Sequence, residues 1–127
     1  MGLIRVGFFR ELRHGRPDGP SIDDCAERSG GRDEDAIVRY LNAGATLAAT
    51  GSMVDDCLDN TRKGVAPLEI ATDGRWVWPR DLAYYVGEYH VRLPQEFVEH
   101  MRAHDWTARA FTSEELEGLE TEYVMSS

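Results

Sequence analysis

The sequence predicts an α+β fold: a single domain in which an antiparallel β-sheet is covered on one face by helices. Three observations lead there. The 127 residues, 42% of them apolar, are enough for one hydrophobic core and not for two. Asp73-Gly74 separates two β-rich runs, PLEIAT and RWVW, which is a short-range hairpin signal. Two segments open with a proline, Pro79 and Pro94, and then carry apolar residues at helical spacing.

At the N-terminus Ile4, Val6 and Phe8 alternate with neighbours that include Leu3 and Phe9. A first strand over residues 3–9 is expected, with a short helix through Leu12 as its rival. Gly15, Pro17, Gly19 and Pro20 then interrupt any ladder and form a loop. Ser21, with Asp24 three residues on, is placed as the N-cap of a short helix that ends at the Ser29-Gly30-Gly31 stretch. In DEDAIVRYLNAG the acids Asp33, Glu34 and Asp35 match the positive end of a helix dipole, Ile37, Val38 and Leu41 form an apolar stripe, and Gly44 is the C′ residue. Residues 45–51 are small and uncharged, which suits a strand packed under helices, and 59–64 form a polar turn.

The hairpin is expected over residues 68–78 with a type I′ turn, and alternation puts Trp76 and Trp78 on one face and Val77 on the other. Pro79 starts a helix whose stripe is Leu82, Tyr85, Val86 and Tyr89. Pro94 starts another with Phe97, Val98 and Met101 inside and Trp106 closing it. Thr112 and Glu115 make a capping box for a last, acidic helix around Leu116 and Leu119. The domain is expected to span residues 1–120, with 121–127 a frayed tail.

Charge narrows the function classes. The 23 acids against 14 bases leave a net −9, spread along the chain. This field repels phosphate backbones, so no nucleic acid is expected as a partner. It speeds encounter with a basic protein. No run approaches the roughly 18 to 20 apolar residues of a membrane span. The N-terminus lacks an apolar region followed by a small-residue cleavage site, so a cytoplasmic location is expected. Val6 stands where an N-myristoylation signal needs Ser or Thr. Cys25 and Cys57 have no CxxC or zinc-type spacing and are expected to be free thiols.

Motifs for chemistry are sparse. His100 and His104, four apart on the helix from Pro94, would project together as metal ligands of a small metal-dependent hydrolase can. Met101, however, stands where the zincin motif has its Glu, and two exposed helix histidines are the simpler expectation. Asp23-Asp24 and Asp55-Asp56 are adjacent pairs, whose side chains diverge on either a helix or a strand. Neither cysteine has an oxyanion-hole signature nearby, and the sequence has no dinucleotide-binding or Walker glycine loop. No catalytic residue, metal or cofactor is therefore expected. The aromatic residues of 72–97 are expected to be mainly core, with Trp76, Tyr84, Arg75, Arg80 and Asp73 as an exposed patch of interface type.

The run TDGRWVWPRDLAYYVGEYHVRLPQEFVEHMRAH, together with YLNAG and the VxDxLD-like residues Val54, Asp56, Leu58 and Asp59, resembles a group of uncharacterised small acidic bacterial proteins with a DGxWxWPxDLxYYV segment. Single-domain acidic proteins of this kind are similar in genre to the immunity proteins that neutralise secreted toxins. The resemblance implies a non-enzymatic protein-binding domain that inhibits a basic toxin or enzyme, and it carries no functional residue with it. Charge and position nominate Asp55, Asp56, Asp59, Glu69, Asp73, Arg75, Trp76 and Tyr84 as the partner-binding set. A homodimeric scaffold that uses a helix face or a sheet edge is a further alternative.

Overall fold

The computed structural model describes residues 3–12, 15, 17–28 and 30–125. Met1-Gly2, Arg13, His14, Arg16, Ser29 and the last two serines lie outside the described residues, and with them fall the myristoylation position, part of the first loop and one residue of the stretch expected to end the first helix. In chain order the elements are β1 (Ile4–Arg5), α1 (Ile22–Cys25), α2 (Glu34–Ala43), β2 (Ala45–Val54), β3 (Ala66–Thr72), β4 (Trp76–Pro79), α3 (Leu82–Tyr89), α4 (Gln95–Ala103) and α5 (Ser113–Met125). The α+β class holds. The sheet runs β1-β4-β3-β2, with β2, β3 and β4 antiparallel in succession. It is mixed rather than wholly antiparallel, because β1 lies parallel to β4, with Ile4 opposite Trp76 and Arg5 opposite Val77.

Alternation along β4 gives the sheet two different faces. Trp76 and Trp78 point into the main core, where they meet Tyr40 and Leu41 of α2, Leu82, Tyr85 and Val86 of α3, and Phe97 and Met101 of α4. The rings are in contact: Trp76 stacks on Phe97 at 4.7 Å between centroids, and Phe97 meets Tyr40 edge-on at 6.3 Å, geometries that add to the apolar burial itself. Val77 points the other way, to a smaller cluster with Leu3, Phe8 and Leu47, against which Leu119 and Tyr123 of α5 pack. Helices therefore cover both faces, not one. The α5 helix is started by the expected box, Thr112 N–H donating to Glu115 Oε1 at 3.0 Å and Glu115 N–H to Thr112 Oγ1 at 3.2 Å. It continues through Met125, so residues 121–125 are helical where a frayed tail was expected.

Several local expectations are corrected. The first strand has two residues, because Gly7 adopts φ 78° and turns the chain out of the ladder; Phe8 then joins Leu3 in the smaller cluster instead of following Val6. Gly44 ends α2 with φ −58°, not in the left-handed region. Its lack of a side chain serves close packing, since a Cβ there would lie 2.4 Å from the Trp78 ring. The β2 strand is packed under a helix only in part: it is an edge strand, largely exposed, whose buried Leu47 lies in the cluster that Leu119 and Tyr123 of α5 cover, and Val54 is its other buried residue. Pro79 closes β4 rather than opening α3, and Asp81 is the N-cap of that helix. Ser21 makes no cap bond to α1. Its hydroxyl donates instead to Glu11 Oε2 at 2.5 Å, and Glu11 Oε1 accepts the Ile22 N–H at 2.8 Å, so a carboxylate from the preceding loop caps the helix. No helix among the described residues is long and apolar enough to cross a membrane.

Candidate functional site

The hairpin between β3 and β4 forms where Asp73-Gly74 places it, but Asp73 keeps a negative φ and Gly74 alone turns positive, at 97°, so the turn is not type I′. Asp73 holds it instead by an Asx turn. Its Oδ1 accepts the Arg75 N–H at 3.0 Å and the Trp76 N–H at 2.7 Å. Its Oδ2 accepts the Tyr40 hydroxyl at 2.5 Å and lies 3.1 Å from His100 Nε2. One buried carboxylate thus ties the hairpin to α2 and faces α4. Burial first, and then the bond to Asp73, push the Tyr40 hydroxyl far above the usual tyrosine range.

Arg80 performs the matching task for carbonyls. A helix C-terminus leaves its last C=O groups without intrahelical donors, and Arg80 reaches those of α2. Nη1 donates to Asn42 O at 3.0 Å and Gly44 O at 2.9 Å, Nη2 to Thr46 Oγ1 at 2.8 Å, and Nε to Glu69 Oε1 at 3.2 Å. With Arg80 9% and Trp76 5% exposed, most of the expected aromatic and charged patch is interior. Asp73 and Trp76 are spent on the fold, and the half-buried Glu69 is spent on Arg80. Arg75 is exposed at the hairpin tip.

A different arrangement is found in the loop between β2 and β3. Asp56, 3% exposed, accepts the Leu58 N–H at 2.7 Å and the Asp59 N–H at 3.0 Å on Oδ1, and the hydroxyls of Tyr84 (2.7 Å) and Tyr89 (2.6 Å) on Oδ2. Burial alone would raise its pKa, but these donors outweigh burial and hold the carboxyl below its ordinary value. The same contacts raise both phenols. Tyr89 is pushed up to about 12, chiefly by its bond to Asp56, and Tyr84 is raised by desolvation and then by the Asp56 bond. Asp59 Oδ1 accepts both the N–H and the hydroxyl of Thr61, at 3.0 and 2.6 Å, and Asp55 Oδ1 accepts the Gly64 N–H at 3.0 Å. Arg62 lies 5.3 Å over the Tyr84 ring and pairs with Glu88 at 2.7 Å.

The structure therefore brings Asp55, Asp56, Asp59 and Tyr84 together on one side of the molecule. Glu69, Asp73, Arg75 and Trp76 do not join them. Asp56 is a fastening inside this patch, while the exposed Asp55 and the half-buried Asp59 and Tyr84 are presented on it. Sequence reasoning missed Arg62, Glu88 and Tyr89, whose only signal was a turn and a helix stripe.

The two histidines lie side by side, rings 4.4 Å apart, and one ring nitrogen of each is engaged. His100 Nε2 faces Asp73, and His104 Nδ1 bonds the backbone oxygen of His100 at 2.8 Å. Among the described residues no group of three or more His, Cys, Asp or Glu is placed to hold a metal. Cys25 and Cys57 are free thiols. Comparison with protein-family models, curated proteins and solved structures yields no match to this chain.

Proposed function

We propose that this chain is a non-enzymatic, acidic protein-binding domain, an immunity-type inhibitor that docks on a basic protein through the loop between β2 and β3 and the adjoining surface of α3. The observation that supports this most is the fastening of the loop by Asp56. Four hydrogen bonds hold residues 56–59 to each other and to Tyr84 and Tyr89. Ordering entropy that a free loop would lose on binding is already lost here, which favours association. Tyr84 and Arg62, which stack on each other there, are of the residue types that carry binding energy. The net −9 adds long-range attraction to a basic surface.

Affinity capture from native extract, followed by titration of the purified partner, tests this. The partner is expected to be basic, and its affinity should fall by about tenfold or more from low to high salt. The double variant Asp55→Asn/Asp59→Asn keeps the acceptor oxygens of both turns while removing two charges, and should weaken binding by about tenfold. A partner indifferent to both salt and the double variant would rule out this surface.

A further inference from the structure

The two imidazoles of α4 are each held by one nitrogen, and the holding groups differ. His104 Nδ1 lies 2.8 Å from the backbone oxygen of His100. A carbonyl oxygen only accepts, so the hydrogen sits on Nδ1 and the neutral ring keeps its lone pair on Nε2. His100 turns its other nitrogen to its neighbour: Nε2 lies 3.1 Å from Asp73 Oδ2. A carboxylate at that distance favours the tautomer protonated on Nε2, which leaves the lone pair on Nδ1. Asp73 is itself fixed, because it accepts the Arg75 and Trp76 N–H groups and the Tyr40 hydroxyl. The end of α4 is fixed as well. Asp105 and Trp106 are consecutive non-glycine residues in the left-handed region, at φ 54° and 58°, and the turn is closed by Trp106 N–H donating to Met101 O at 2.9 Å and Thr107 N–H to His104 O at 3.0 Å. Backbone strain of this kind gathers where a local geometry is put to use.

Histidines that ligate metals give their second nitrogen to a carboxylate or a backbone carbonyl, which sets the tautomer and the ring orientation. Here one histidine has each kind of support. We propose that His100 and His104 together bind a divalent first-row transition metal cation, through Nδ1 of the first and Nε2 of the second. Two imidazoles on adjacent corners of a coordination sphere, each nitrogen about 2.0 to 2.1 Å from the ion, have ring centres about 4.5 to 5 Å apart. The observed separation is 4.4 Å, so side-chain rotation suffices and the helix need not move. Imidazole donors select Cu²⁺, Ni²⁺ and Zn²⁺ over Mg²⁺ and Ca²⁺. Two histidines fill two positions and leave the others to water, which makes this an exchangeable surface site. It is built on α4 and the β3–β4 hairpin, not on the loop and α3 surface assigned to docking, and stands or falls independently of that reading.

The test is titration of the whole chain with Cu²⁺, followed by electron paramagnetic resonance, and with Zn²⁺ and Mg²⁺ by calorimetry. One Cu²⁺ per chain should bind with couplings to two imidazole nitrogens, more tightly than Zn²⁺, and Mg²⁺ should give no heat. His100→Gln and His104→Gln should each weaken Cu²⁺ binding by about tenfold or more, at least what loss of a supporting partner costs. The double variant should be no weaker than about either single one, since each single change already leaves one imidazole. His104 is exposed and away from the Asp73 contact, so His104→Gln tests the site with the fold intact. His90→Gln, whose ring pairs with Glu34, should leave the affinity unchanged. Coupling to a single nitrogen, an affinity unaffected by His104→Gln, or Mg²⁺ binding as well as Cu²⁺ would each overturn the assignment.

Discussion

Asp73 and Asp56 are built alike and serve different ends. Each spends one oxygen on the backbone N–H groups two and three residues ahead and turns the other toward donors on the helices. For Asp73 that oxygen accepts the Tyr40 hydroxyl of α2 and lies 3.1 Å from His100 Nε2 of α4. For Asp56 both donors are tyrosines of one helix, α3. The first carboxylate therefore joins three elements that share the main core, whereas the second fastens a surface loop to a helix that is already anchored. The same local chemistry becomes a keystone or a clasp according to how many independently placed elements meet at it.

The largest effect should follow from removing the keystone. Asp73→Ala leaves two backbone N–H groups and the Tyr40 hydroxyl without acceptors in the interior, at about 1 to 3 kcal/mol each. A loss of about 4 kcal/mol in urea unfolding is expected, a large part of the 5 to 15 kcal/mol typical of a domain. A loss below about 1 kcal/mol would show that Asp73 joins nothing essential.

Asp56→Ala should cost less, about 2 kcal/mol, and its signature is local. Amide hydrogen exchange at Leu58 and Asp59 should accelerate by about tenfold or more, while that of Arg75 and Trp76 stays as in the parent. Equal acceleration in both loops would erase the distinction between them. Acid sharpens it further. The folded pKa of Asp56 is depressed, so its contribution is present above the unfolded carboxylate value of about 3.9 and is lost as pH falls through the folded value. Thermal unfolding across this range should show a shallower acid-side decline for Asp56→Asn than for the parent.

The smallest effect belongs to a contact that ties no elements together. Thr112→Ala removes half of the α5 capping box and should cost about 1 kcal/mol. Circular dichroism should show α5 weakened and the rest of the helix signal retained, and loss of the whole signal together would mean that α5 is part of the main cooperative unit.

What could be read from the sequence was local. The hairpin at Asp73-Gly74, the opposed faces of Trp76 and Val77, the stripes of α3 and α4 and the capping box of α5 all follow from neighbours within a few positions. What could not be read depends on partners far along the chain. Nothing near Ile4 signals that it will lie parallel to Trp76. Asp55 and Asp56 are indistinguishable as letters, yet one is exposed and the other is buried, because the tyrosines that receive Asp56 lie 28 and 33 positions away. Likewise the pairing of His90 with Glu34 at 2.8 Å spans 56 positions and leaves no local trace. Of the nominated residues, the loop acids and Tyr84 gather on one side, Asp73 and Trp76 turn inward, and Arg75 stays exposed at the hairpin tip.

The parallel seat of β1 beside β4 also fixes an order of assembly. The three antiparallel strands are neighbours in sequence and can close on one another over short spans, whereas Ile4 must wait for Trp76 to exist. The β1 segment thereby cannot take its place in the sheet until Trp76, 72 positions further along, has been made.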